Sequence, residues 1–273
     1  MSADLTIIVE NTAEDGLVAE HGLAVHIAAD GRSFMLDASA TPEALAANAA
    51  ALSLDLAAVE GVIISHGHLD HTGGLPALLA ARKGLQVYAN PAAFARRWSA
   101  RPDGPMHEIG WRSSPEILAS HGVRFCPVET PHVLTDGLLI SGPVGGPQPD
   151  LDRFVVQVGE ELKADTFADE LFVMARGADG WVVLTGCCHR GLKNTLHRAA
   201  FLARGEPICA VIGGFHLGRA LPDQLADAGD ALLAVDPKGV YPCHCTGKLG
   251  WEYLADKLPG KVHHVGAGTR LSF

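Results

Sequence analysis

The stretch Val62-Ile63-Ile64-Ser65-His66-Gly67-His68-Leu69-Asp70-His71-Thr72-Gly73-Gly74 joins an apolar run of buried-strand type to an alanine- and leucine-rich segment beginning near Leu75. Residues two apart on extended backbone face the same side, so His66 and His68 can reach one metal ion together. Past the turn, Asp70 and His71 offer an oxygen and a nitrogen to a second ion close by. Imidazole and carboxylate donors suit zinc, iron or manganese. The competing account is a strand-to-helix turn with surface histidines. Three histidines, an aspartate and three glycines in so short a span argue against it.

Four ligands do not complete two sites, because each ion takes roughly three protein groups and a water. Three later apolar runs each end in histidine. Trp181-Val182-Val183-Leu184 leads into Thr185-Gly186-Cys187-Cys188-His189, residues 208–212 lead into Gly213-Gly214-Phe215-His216, and Val240-Tyr241 leads into Pro242-Cys243-His244-Cys245. In open α/β sheets, sites gather at the carboxyl ends of strands. Four such ends bearing histidine predict a dinuclear centre.

Further out, strand-length apolar runs fall at 5–9, 23–27, 33–36, 62–64, 85–89, 123–126, 138–140, 154–158, 171–174, 181–184, 208–212 and 240–241. Helical segments are expected at 42–51, with Thr41 as N-cap and Pro42 in the first turn, and at 75–82, 191–204, 222–233 and 251–257. Strands alternate with helices at both ends of the chain and dominate its middle. Two sheets packed face to face with helices outside satisfy this α/β pattern better than one doubly wound sheet. Residues 96–114 and 142–152, rich in glycine, proline and charge, read as long loops and candidate lids. With no linker or repeat apparent, residues 1–273 are expected to form one domain.

Acidic groups outnumber basic ones 31 to 21, for a formal charge of −10. Nucleic acid is therefore not expected as a partner, since phosphate backbones call for a basic face. The start of the chain has no positively charged leader, and no run approaches a membrane span, so a cytoplasmic protein without a membrane partner is expected. Homo-oligomer formation stays open. The six cysteines include an adjacent pair, Cys187-Cys188, and two that flank His244. That placement suggests reduced thiols rather than a disulfide framework.

The His66/His68/Asp70/His71 motif resembles that of the metallo-β-lactamase superfamily, which implies a four-layer αββα sandwich holding one or two metals. Asn11-Thr12, Ala19-Glu20-His21-Gly22-Leu23, Met35-Leu36-Asp37, Ser65–Leu75, residues 185–196, Gly213–Leu217 and Cys243–Gly247 are similar to one subgroup of it, the 7,8-dihydropterin-6-methyl-4-(β-D-ribofuranosyl)-aminobenzene-5′-phosphate synthase-like proteins. The resemblance implies His66 and His68 on the first ion, and Asp70, His71 and His244 on the second. Relatives carry a bridging aspartate where this chain has Cys187. His189 is expected to ligate, with Cys187 as the alternative, and His132 or Asp165 could supply the superfamily's third-motif histidine position. Asp37 is expected to support the site without ligating.

The implied activity is hydrolysis by a hydroxide held on two divalent ions, zinc first and manganese or iron otherwise. Asp70 would orient or deprotonate the water, and His216 would donate a proton to the leaving group or contact substrate. Arg190 and Lys193 follow a histidine-bearing strand end, with Arg219 and Lys248 beyond the others. They predict a small anionic substrate, a phosphate ester or a carboxylate, bound by Arg190 and Lys193. Two other readings remain: an iron-dependent oxidoreductase on the same fold, and a non-catalytic metal-stabilised binding or sensor protein.

Overall fold

A computed structural model describes residues 2–101, 104–147 and 153–273. Seven strands form the first sheet, in the order Arg270–Ser272, Ala3–Val9, Ala24–Ala29, Arg32–Leu36, Gly61–Ile63, Gln86–Ala89 and Arg124–Pro127. It is antiparallel up to Arg32–Leu36 and parallel beyond. The second sheet runs Gly239–Cys243, Ile208–Gly214, Gly180–Thr185, Phe172–Gly177, Leu138–Ile140 and His132–Thr135, with its first three strands parallel.

Side-chain alternation shows why these strands must be covered on both faces. In Gly180–Thr185, Val182 and Leu184 enter a core shared with Leu5, Ile27 and Ile63 of the first sheet. Trp181 and Val183 point the other way, onto Leu192, Leu196 and Ala199 of the helix Leu192–Ala203. The first sheet repeats the pattern: Ile63 faces the second sheet, while Val62 and Ile64 pack with Leu45 and Leu78 of the helices Pro42–Ala51 and Leu75–Ala81. Strands buried on both faces read as unbroken apolar runs. The layers are helix, sheet, sheet, helix: the αββα sandwich that the sequence predicts. As expected, Thr41 caps the helix Pro42–Ala51, its side chain accepting from the Ala44 N–H.

The segment 96–114 is not a loop. It carries the strands Arg97–Arg101 and Gly104–Glu108, which join Phe154–Val158 and Glu161–Ala164 in a small antiparallel sheet. These strands hide because Gly104–Glu108 and Glu161–Ala164 are exposed throughout and so lack an apolar pattern. Arg97 anchors the small sheet with a buried guanidinium, donating to Asp165 (2.7 Å) and Asp169 (2.8 Å). Of the other expected loop, 142–147 is irregular and 148–152 lies outside the described residues. Among the described residues no helix is long and apolar enough to cross a membrane.

Candidate metal centre

The chain leaves Gly61–Ile63 through Ile64 and Ser65, and Asp37, at the end of the neighbouring strand, holds this exit in place. One Asp37 oxygen accepts the Ser65 N–H (2.7 Å); the other accepts the Ser65 hydroxyl (2.7 Å) and His71 Nδ1 (2.6 Å). The Ser65 oxygen in turn lies 2.9 Å from His66 Nδ1. With Nδ1 of each ring donating, the Nε2 lone pairs of His66 and His71 are left for an ion. Gly67, between the first two histidines, donates its N–H to Asp169 (2.7 Å). A Cβ on Gly67 would stand 1.9 Å from the Ala93 carbonyl oxygen, so this turn requires glycine.

His66, His68 and His189 are buried and bring donor atoms within 4.8 Å of one another. His66 Nε2, His68 Nε2 and both nitrogens of His189 have no hydrogen-bond partner. A buried polar atom left unpaired costs roughly 1–3 kcal/mol, so several in one place mark a position built for something that accepts their lone pairs. Burial pushes the pKa of His68 down to about 3, and those of His66 and His189 well below the usual histidine range. The rings are therefore neutral, as ligands must be. Phe167 stacks on His189 with ring centroids 4.1 Å apart and planes 7° from parallel.

Beside this trio stands a second set. His71 Nε2 and His244 Nε2 are 3.2 Å apart, and an Asp70 oxygen lies 3.4 Å from His244 Nε2 and 3.9 Å from His71 Nε2. Cys187 Sγ is 3.2 Å from His71 Nε2. Burial opposes ionisation of Asp70, but the neighbouring charge of His71 and the hydrogen bond from His244 outweigh it and hold the carboxyl well below the usual range. Burial likewise disfavours charge on His71, yet Asp37 and Asp70 raise its pKa to about 9, so an ion taking this position must displace the proton on Nε2. Three neutral imidazoles in one set, and a carboxylate, two imidazoles and a thiol in the other, fit two divalent transition-metal ions.

All six metal-ligand candidates, His66, His68, Asp70, His71, His189 and His244, meet at one end of the sandwich. His216 joins them, its ring 4.3 Å from that of His189 and its buried Nδ1 unpartnered. Arg190 and Lys193 do not turn towards the donors. The Arg190 guanidinium donates to the carbonyls of Thr166 (2.8 Å) and Gly146, bracing two loops. Lys193 lies on the helix Leu192–Ala203, and its ammonium pairs with Asp227 (2.8 Å) on the neighbouring helix Pro222–Val235. Helical periodicity turns Lys193 outward although its backbone follows the right strand end. Nor do Asp165 and His132 join the site. Asp165 pairs with Arg97, and His132 is exposed with its ring 5.5 Å from that of Tyr88.

Other contributors are not foreseeable from the sequence. Asn11 Oδ1 lies 3.1 Å from His244 Nδ1, and Glu10 accepts the His244 N–H (2.6 Å), so the segment after the strand Ala3–Val9 aims the His244 ring. His21 Nε2 is 3.4 Å from Asp70. Arg153 lies over the Phe154 ring at 4.5 Å, with Nη2 3.4 Å from His216 Nε2. Asn11-Thr12 and the Ala19–Leu23 segment around His21 are visible as motifs, but nothing local assigns them partners so far along the chain.

The profile of the metallo-beta-lactamase superfamily matches residues 19–153. Over 267 residues, 93% of this chain and 90% of the relative, the sequence is 22% identical to the 7,8-dihydropterin-6-methyl-4-(beta-D-ribofuranosyl)-aminobenzene-5′-phosphate synthase of Methanocaldococcus jannaschii. The crystal structure of Tm1679, a metal-dependent hydrolase of the beta-lactamase superfamily, is similar with a TM-score of 0.86 and 28% identity over 98% of both chains. A diphosphatase of the PhnP family shares the fold, with a TM-score of 0.58 and 16% identity over 100% of this chain and 98% of the other.

Proposed function

The chain belongs to the metallo-beta-lactamase superfamily, and on that premise we propose that it is a metal-dependent hydrolase acting on a small phosphate-bearing substrate. The observation that carries this reading is the cluster of buried, unpartnered imidazole nitrogens of His66, His68 and His189 beside the Asp70–His71–His244 set. When bound there, a pair of divalent ions, zinc in the first instance, supplies Lewis acidity that brings the pKa of water towards neutrality.

The protein groups then have separable tasks. Asp37, Ser65 and Asn11 hold the ligand rings in one tautomer and one orientation. Asp70 stays ionised and orients rather than stores a proton, because a carboxyl held far below its usual pKa is a poor base near pH 7. His216, beside the trio, donates a proton to the leaving group. Arg153, next to His216, meets the negative charge of the substrate, the role that sequence position alone would give to Arg190 and Lys193. The phosphate group in the archaeal relative's product name supports the same substrate class.

The test is a panel of phosphomonoester, phosphodiester, lactone and thioester substrates, offered to metal-replete and chelator-treated protein. Turnover of a phosphate ester that disappears on chelation and returns with zinc is expected. His216→Ala should lower kcat by roughly 100-fold or more, in keeping with the loss of a general acid. Arg153→Ala should raise KM for the phosphate ester more than for the lactone. Full metal loading without turnover of any ester would favour a binding or sensor role, and redox activity with bound iron would favour an oxidoreductase.

A further inference from the structure

Two thiols lie against the second donor set: Cys187, already counted among its donors, and Cys245, to which hydrolysis as proposed gives no task. Cys187 Sγ, Cys245 Sγ and a nitrogen of His244 all fall within 4.8 Å of one another. His244 Nδ1 is taken by Asn11, so Nε2 is the nitrogen offered. Cys245 sits in the turn after the strand Gly239–Cys243, its Sγ accepting the His216 N–H (3.3 Å) and lying 3.5 Å from the Cys187 carbonyl oxygen. Gly214 makes room for this approach: a Cβ there would stand 2.6 Å from Cys245 Sγ. Both cysteines are free thiols.

We propose that the second position of the centre is a mixed thiolate–imidazole site, in which Cys187 and Cys245 ligate together with His244. It therefore selects a thiophilic divalent ion such as zinc or cadmium over manganese. Soft thiolates favour such ions, whereas a carboxylate–imidazole set accommodates manganese readily. Each thiol loses its proton to solvent as it takes the metal, with no change of oxidation state. The proposal rests on the reading of this end of the sandwich as a metal centre, and adds the donors and the metal class.

The test uses the full chain, stripped of metal under reducing conditions and loaded with two equivalents of cobalt(II). A thiolate-to-cobalt charge-transfer band in the near ultraviolet is expected. Its intensity per bound ion should fall about two-fold in Cys187→Ser and in Cys245→Ser and vanish in the double variant. The visible d–d absorption of the three-histidine position should persist in all four proteins, showing that each variant is folded. In competition, the preference for cadmium over manganese should drop by at least about tenfold in the double variant. An undiminished band in Cys245→Ser overturns the two-thiol site, as does a wild-type protein with two cobalt ions and no band. Failure of the wild type to take up cobalt at all overturns the metal-centre reading itself.

Discussion

Both oxygens of Asp37 are committed, one to the Ser65 amide and the other to Ser65 Oγ and His71 Nδ1. Asp37→Asn puts an amide where three donors converge, and one ligand ring must give up its tautomer. Metal affinity is expected to fall by about 10–100-fold, the usual cost of losing such a support, as measured by competition with a chromophoric chelator. Gly67→Ala drives a methyl group into the Ala93 carbonyl and should lower both metal content and melting temperature. Normal values for both would contradict the tight turn. His66, His68, Asp70 and His71 can be read from spacing, because neighbouring residues set their directions. Asp37 and Asn11 act on partners 28 and 233 positions away, a relation that no local pattern encodes.

The strand Arg97–Arg101 shows why an element can escape a hydropathy reading. Its inward residue is an arginine, and burial is made tolerable by two carboxylates from Asp165 and Asp169, far along the chain. Asp169 also holds the Gly67 amide, so the small sheet and the turn that carries His66 and His68 share one anchor. Arg97→Met leaves two carboxylates buried without their cation. It should cost about 3–5 kcal/mol in denaturant unfolding, the range for breaking a buried ion pair. A loss below about 1 kcal/mol would show that the pair contributes little. Strands such as Ile208–Gly214 are readable because both of their faces are apolar and buried.

Across the molecule, six non-glycine residues at the rim of the centre adopt left-handed backbone: Asp37, Ser39, Phe167, Cys188, His216 and His244. Such conformations cost of order 1–3 kcal/mol each and persist where surrounding contacts over-determine them. An ion binding the folded chain offsets part of that cost by mass action. Adding zinc to stripped protein at about 100 times its Kd should therefore stabilise it by about 2.7 kcal/mol for each position filled, read as a rise in calorimetric melting temperature. An unchanged melting temperature would mean that no zinc binds to the fold. The sandwich and the histidine-bearing strand ends are legible in the chain. The outward turn of Lys193 and the bracing role of Arg190 are not, because they depend on how helices and loops pack.

His66, His68 and His71 follow the strand Gly61–Ile63 of one sheet, whereas His189, His216 and His244 follow three strands of the other. The gap between the two groups of donors is therefore set by the thickness of filling between the sheets, where Ile27, Ile63, Val182 and Leu184 interleave. Those side chains work as shims. Trimming one of them, remote from any reacting atom, would shift the two groups of donors relative to each other while leaving every donor residue unchanged, so the calibration of the centre resides in the greasy middle of the protein as much as at its polar end.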